Sequence, residues 1–243
     1  MDNATPRPEP SVSIPLVVAL DGPAGSGKST VARRVAAALG WRYVDTGASY
    51  RAMTLAVLRA GADPADAEAV VRTAQAARVE LLHDPRRPGV RLDGIDVSEA
   101  VRGADVTAAV SAVSAVPALR ALLVTLQRAA IGHSGAVAEG RDVATVVVPD
   151  APVKVYLDAD PVVRAGRRAA EVDAGVRAPT DQAGRHEAVA RDLARRDALD
   201  SGRAASPLLL ADDAFHLDST ALDVDEVVAL VLSLVAAAGL GSR

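Results

Sequence analysis

Residues 14–20 form an apolar run without a charge, suited to a central parallel strand buried on both faces. The period then changes. From about Gly27, Val31, Val35 and Leu39 fall on one helical face, and Gly40 supplies a residue that readily ends a helix in the left-handed conformation. Residues 41–45 predict a second short strand, followed by a helix as far as Gly61. Asp63-Pro64 reads as the N-cap and first turn of another helix, because Asp accepts from early amides and Pro lacks the N–H that would go unpaired there. Segments 79–82 and 89–97 flank the turn-rich Asp84-Pro85-Arg86-Arg87-Pro88 and predict a small β insert. An Ala/Val-rich helical stretch begins near Asp105, is interrupted at Pro117 and ends near Gly132. Further strands are expected at 136–139, 153–157 and 214–217, and a helix from about 223 to 238 closes the chain. This alternation predicts a three-layer α/β fold with a mainly parallel sheet and two inserts.

Composition narrows the class. At 243 residues there is room for one sizeable core with small mobile inserts. A 50% hydrophobic and 24% charged chain is expected to be globular and soluble, and no apolar run has the length that spans a bilayer. Residues 1–13 carry Pro and acids where a signal peptide would carry an apolar core, so a loose tail on a cytosolic protein is expected. The absence of cysteine excludes disulfides, thiolate metal sites and cysteine nucleophiles. A net charge of −4 weighs against a nucleic-acid polymer as partner. His83, His133, His186 and His216 show no metal-ligand spacing, and Trp41, Tyr43 and Phe215 are expected in the core. With aromatics at 2%, a bound base would rely on Arg and aliphatic side chains more than on stacking.

The chain has two lysines, Lys28 and Lys154, and otherwise carries its positive charge on Arg. A Lys inside a Gly-rich turn is therefore informative, since a flexible point charge reaches a phosphate differently from a planar fork. Lys28 closes Gly22-Pro23-Ala24-Gly25-Ser26-Gly27-Lys28-Ser29, which fits G-x-x-x-x-G-K-[ST] in every fixed position. Glycines permit a tight loop whose backbone N–H groups converge on phosphate oxygens at the positive end of a helix. Lys28 can then reach the β- and γ-phosphates of a triphosphate, and the Ser29 hydroxyl can ligate Mg²⁺. A guanine-specific switch would need an N-K-x-D motif, and neither lysine sits in one; Lys154 lies between Val153 and Val155. The acid nearest the end of a buried strand is Glu139, placed to hold a water of a Mg²⁺ shell.

Four motifs in order then resemble bacterial cytidylate kinases, over nearly the whole length from Ile14 to the C-terminal helix. They are Leu20-Asp21-Gly22-Pro23 entering the loop, and Asp45-Thr46-Gly47-Ala48-Ser49-Tyr50-Arg51 after the second strand. Next comes Gly140-Arg141-Asp142 with Thr145-Val146-Val147 and Pro149-Asp150-Ala151. The last is Arg196-Asp197, Asp200, Arg203 and Pro207-Leu208 at the family's spacing.

The resemblance implies a P-loop NTPase fold with a small α/β monophosphate-binding insert and a short lid. It implies a core at 14–61, 133–160 and 186–243, the insert at about 62–132 and the lid at about 161–185. The implied reaction is ATP-dependent phosphorylation of CMP and dCMP, with Mg²⁺, by a monomer. Gly22 to Thr30 would hold ATP under a lid carrying Arg164, Arg167 and Arg168. Thr46, Tyr50 and Arg51 would hold the acceptor phosphate, and Ser111, Arg120 and Asp142 the pyrimidine. Arg141, Arg196 and Arg203 would surround the phosphates, with Arg196 and Asp200 meeting the sugar and Lys28, Arg141 and Arg196 acting in the transfer. Read from the residues alone, a kinase of another small acceptor such as UMP, AMP, shikimate or gluconate stays open, as does a non-catalytic nucleotide sensor.

Overall fold

In the computed structural model, which describes residues 16–173, 182–203 and 205–240, the buried apolar run becomes β1 (Val17–Asp21). After it come α1 (Lys28–Leu39), β2 (Arg42–Asp45), α2 (Thr46–Arg59) and α3 (Ala67–Ala76). The insert sheet β3 (Val79–Leu82), β4 (Gly89–Leu92) and β5 (Ile95–Asp96) precedes α4 (Ala104–Ser114) and α5 (Pro117–Ile131). The chain then returns through β6 (Ala136–Gly140), β7 (Val153–Asp158), α6 (Pro161–Asp173), α7 (Gln182–Ser201), β8 (Phe215–Asp218) and α8 (Val224–Ala237).

Five parallel strands form the main sheet in the order β2-β6-β1-β7-β8. Because side chains alternate across a strand, Val17 and Ala19 join one core with α2 and α5, while Val18 and Leu20 join another with α1 and α8. The two cores on opposite faces make the three layers expected from the sequence. A parallel sheet also aligns its strand ends: Asp21 of β1 pairs with Gly140, and Asp45 of β2 with Glu139. Ligands in open α/β sheets sit beyond such carboxyl ends. Among the described residues no single helix is long and apolar enough to cross a membrane.

Several local expectations shift. Asp63-Pro64 forms a turn, and α3 starts later with Asp66 as its cap, accepting from Glu68 and Ala69 N–H. The 89–97 run divides at Asp93-Gly94, whose φ values of 52° and 81° make a tight hairpin and a three-stranded antiparallel sheet. At Pro117 the long helix bends by 104°, dividing α4 from α5. Helix α7 and a π-helical turn at Val143–Val147 carry no clear apolar period and escape sequence reading. Phe215 is not core; it is 48% exposed on the edge strand. The expected tail at 1–13 and lid residues 174–181 lie outside the described residues.

At the end of β1 the backbone turns at Gly22 with φ 147°, and a Cβ there would stand 2.0 Å from the Leu157 carbonyl oxygen. Gly22→Ala is expected to push the loop away from β7, a local strain of about 1–3 kcal/mol. A Tm several degrees below wild type in thermal unfolding checks it, and an unchanged Tm would contradict the close approach.

Candidate active site

One cleft of about 1160 Å³ opens at the carboxyl ends of the strands, between the Gly-rich loop, α2, α4, α5, α6 and α7. All ten residues expected around the acceptor line it: Thr46, Tyr50, Arg51, Ser111, Arg120, Arg141, Asp142, Arg196, Asp200 and Arg203. Ala24, Gly25, Gly27, Lys28, Ser29, Thr30, Glu139 and Arg168 line it too, whereas Gly22, Pro23 and Ser26 form the loop's supporting side. Eight basic side chains face four acidic ones in this cleft, in a chain whose net charge is −4.

The loop is built as the motif requires. Gly27, with φ 91°, caps α1 and makes no side-chain cap of its own, so the helix presents its free amides to the cleft. Lys28 is buried and folds back on its loop, donating to Pro23 O at 2.6 Å and Ser26 Oγ at 3.3 Å. Burial, and then the Arg141 guanidinium, pull the Lys28 ammonium down to about 7. Glu139 is buried and accepts from Tyr43 Oη at 2.5 Å. Its burial, with Asp45 beside it, raises the carboxyl above the usual range, while Lys28 and hydrogen bonds from Ser29 and Tyr43 oppose that rise. Among the described residues no cluster of three or more His, Cys, Asp or Glu could hold a metal. One hydroxyl and one carboxylate make no protein cage, but they suit a hard cation held chiefly by phosphate oxygens and water.

Arg164 and Arg167 are not among the residues that line the cleft, and both hydrogen-bond to the backbone of the Gly-rich loop. Arg164 donates to Ala24 O and Ala159 O and pairs with Asp197, which in turn accepts from Ala24 N–H. Arg167 donates to Ser26 O, Ser219 O and Ser219 Oγ. A Cβ on Gly25 would lie 2.7 Å from Arg164 O, so the loop rests directly on α6. A hydrogen-bonded arginine one turn from the cleft has the same sequence signature as one inside it; only Arg168 of the three lines the cleft.

On the opposite side, Arg51 donates to Thr107 Oγ1 at 3.2 Å and Val101 O. Burial, then Arg196, lower its guanidinium to about 10. Arg196 is likewise lowered, by burial and then by Arg141. Burial is the larger cause in both, and the neighbouring guanidinium groups add a like-charge repulsion that an anion would relieve. Arg141 Nε donates to Asp200 at 2.9 Å, and Arg203 donates to Asp200 O. Deeper, Arg120 and Asp142 form a buried pair at 2.5 Å, with Arg120 also donating to Ser114 O and lying over the Tyr50 ring at 5.0 Å. Arg120 Nε and one terminal nitrogen of Arg203 are buried donors without a protein partner. Unsatisfied buried donors of this kind are costly unless a ligand completes them.

Sequence reading passed over several residues of the site. Asp45 caps α2 at Ala48 N–H and lines the cleft, and Asp197 clasps the loop. Gln127, fully buried, donates to Ser49 Oγ and Thr46 O behind the acceptor segment. Asp21 accepts from two backbone amides of the π-helical turn. Asp45 and Asp197 stand inside the motifs already noted, a signal that was there to use; Gln127 has none.

A sequence model described as cytidylate kinase matches residues 18–237. A cytidylate kinase of Mycolicibacterium paratuberculosis is 52% identical over 226 residues, covering 92% of this chain and 96% of that protein. Those of Corynebacterium efficiens and Streptomyces griseus are 47% and 44% identical, each spanning at least 90% of both chains.

Lys28 yields a prediction. Near pH 8 its amine, held at about 7, is largely neutral, and phosphate oxygens drawn against it restore the ammonium. Binding of a nucleoside triphosphate at pH 8 is therefore expected to take up a fraction of a proton, and Lys28→Ala to abolish that uptake. Calorimetry in buffers of different ionisation enthalpy measures it; proton release or no exchange in the native protein would contradict the reading.

Proposed function

The chain belongs to the cytidylate kinase family and phosphorylates CMP and dCMP, and from that premise we propose which groups of the cleft serve each nucleotide. The observation that carries the assignment is that Arg51, Arg141 and Arg196 line one cleft together with Lys28 and the buried Arg120–Asp142 pair. It separates a donor side from a base pocket and leaves a polyanion-seeking centre where two phosphates would meet.

ATP lies with its phosphates on residues 22–30, cradled by loop amides and the start of α1. Lys28 turns from Pro23 O toward the β- and γ-phosphates, and Arg168 lies on the same side. Ser29 and Glu139, the latter through a water, would hold Mg²⁺. Bound there, the ion supplies positive charge and fixes the orientation of the phosphates. Arg51, with Thr46 and Tyr50 on the same helix, takes the acceptor phosphate in its planar fork. Ser111, Arg120 and Asp142 read the base, and Asp200 and Arg196 meet the sugar. Segment 62–132 then serves as the monophosphate-binding insert, segment 161–185 as the lid, and 14–61, 133–160 and 186–243 as the core.

The transfer needs no covalent intermediate. An acceptor phosphate oxygen forms a bond to the γ-phosphorus as the bond to the β,γ-bridging oxygen breaks, with entering and leaving oxygens in line. A phosphate monoester is already largely ionised near neutrality, its second pKa being about 6, so no general base is assigned. Lys28, Arg141 and Arg196 neutralise charge spreading over the transferring group. Lys28 does so from a buried position, where its charge counts for more than in bulk water.

Base choice follows from donor and acceptor patterns. Cytosine offers an N4 amino donor beside the N3 acceptor, and uracil an O4 acceptor. Asp142 accepts from the amino group, and Arg120, which only donates, suits N3 or O2. Two mismatches at about 1–3 kcal/mol each give a preference for CMP over UMP of roughly 30-fold to 10⁴-fold. ADP release over a panel of acceptors is expected to be fastest with CMP and dCMP, weak with UMP and absent with shikimate. Faster turnover of another acceptor would overturn the assignment. Asp142→Ala is expected to lower CMP efficiency far more than UMP efficiency; if both fall together, Asp142 only braces the phosphate arginines.

A further inference from the structure

Asp21 belongs to none of the groups assigned above, yet it is 2% exposed at the end of β1, directly before the Gly-rich loop. Each of its oxygens accepts a backbone amide from the other side of the cleft floor. Val143 N–H donates to Oδ1 at 2.9 Å and Ala144 N–H to Oδ2 at 2.7 Å. These are the first amides of the π-helical turn Val143–Val147, whose later amides are taken by Asp142 O and Val143 O. First-turn amides have no partner inside their own helix and are normally served by the side chain of the residue just before.

That residue is Asp142, among the side-chain types most favoured for the task, and it makes no such bond. Its carboxylate points away, to Arg120, in a pair in which both side chains are 4% exposed. The backbone at Asp142, φ −144° and ψ 24°, lies outside the extended geometry of a self-capping residue, unlike Asp45, Asp66 and Asp223, which all cap their own helices. A carboxylate 122 positions away in sequence has taken over the cap.

We propose that Asp21 is a positioning residue for base selection: by capping the Val143 turn in place of Asp142, it frees the Asp142 carboxylate for the pyrimidine pocket. Without it, two buried amides would compete with Arg120 and the base for the Asp142 oxygens, and the nearer, local partner would win part of the time. The same two bonds tie the strand that launches the phosphate loop to the segment that carries Arg141 and Asp142, so the acceptor groups are registered against the donor loop. Asp21 touches neither nucleotide in this role.

The proposal rests on Asp142 reading the base, and the test separates the two. Efficiencies for CMP and UMP at saturating ATP, and the affinity for ATP, are measured in wild type, Asp21→Asn, Asp142→Ala and the double variant. Asn keeps one acceptor oxygen but turns an amide donor toward the second N–H, so the cap is half broken. Expected is a fall of about tenfold in the CMP-to-UMP ratio for Asp21→Asn, the scale of losing a cap. The loss should lie in KM for CMP, with ATP affinity within about twofold of wild type. In the double variant the ratio should be no lower than in Asp142→Ala, because the freed carboxylate is already gone. An unchanged ratio in Asp21→Asn, or a further independent loss in the double variant, overturns the capping role. So does a loss confined to ATP affinity, which would place Asp21 with Lys28. An unchanged ratio in Asp142→Ala removes the base reading itself, and the capping role with it. Asp21→Ser is read in the same way if the amide disrupts the strand. Insolubility of both, with Asp142→Ala soluble, marks Asp21 as a purely structural carboxylate and overturns the proposal.

Discussion

Like charge gathered into one cleft is the constraint around which the rest of this structure is arranged. Lys28, Arg51 and Arg196 are each lowered first by burial and then by a neighbouring guanidinium, so the folded chain holds basic groups where their charged forms are disfavoured. Such an arrangement persists only if other contacts over-determine it, and it is relieved by the polyanions the site handles. Stability is given up locally so that phosphate binding is strong and the field stands ready before transfer begins.

The over-determination comes from two sources. The parallel sheet aligns strand ends, so that Asp21, Asp45, Glu139 and Gly140 arrive at one edge without any loop having to search for position. Carboxylates then hold the arginines in place: Asp200 takes Arg141, Asp142 takes Arg120, and Asp197 takes Arg164. Only the first two of these pairs line the cleft; the third works beneath the loop. Helix α7 carries Arg196, Asp197 and Asp200 within little more than one turn. One rigid element therefore touches the phosphate loop on one side and the acceptor arginines on the other. Buried polar links of this kind are costly when broken singly, which favours keeping both halves of the site in register.

What the sequence by itself determined was whatever depends on local order. The apolar run ending in Gly22 to Ser29 settles strand, phosphate loop and helix together, since each needs only neighbouring residues. The segment from Thr46 to Arg51 and the Gly140-Arg141-Asp142 motif were legible only through their resemblance to cytidylate kinases, and both contribute residues that line the cleft. Only the tertiary structure decided direction and partnership. Arg164 and Arg168 stand four positions apart on one helix, one beneath the loop and the other lining the cleft, a difference set by how α6 packs on Gly25. Tyr43 looked like an ordinary core aromatic until β2 and β6 paired in register and brought its hydroxyl to Glu139. Asp21 and Asp142 are both strand-end acids in sequence. Contacts across 122 positions made one a cap and left the other to the pocket, because hydrogen bonds are chosen by distance in space and not by order along the chain.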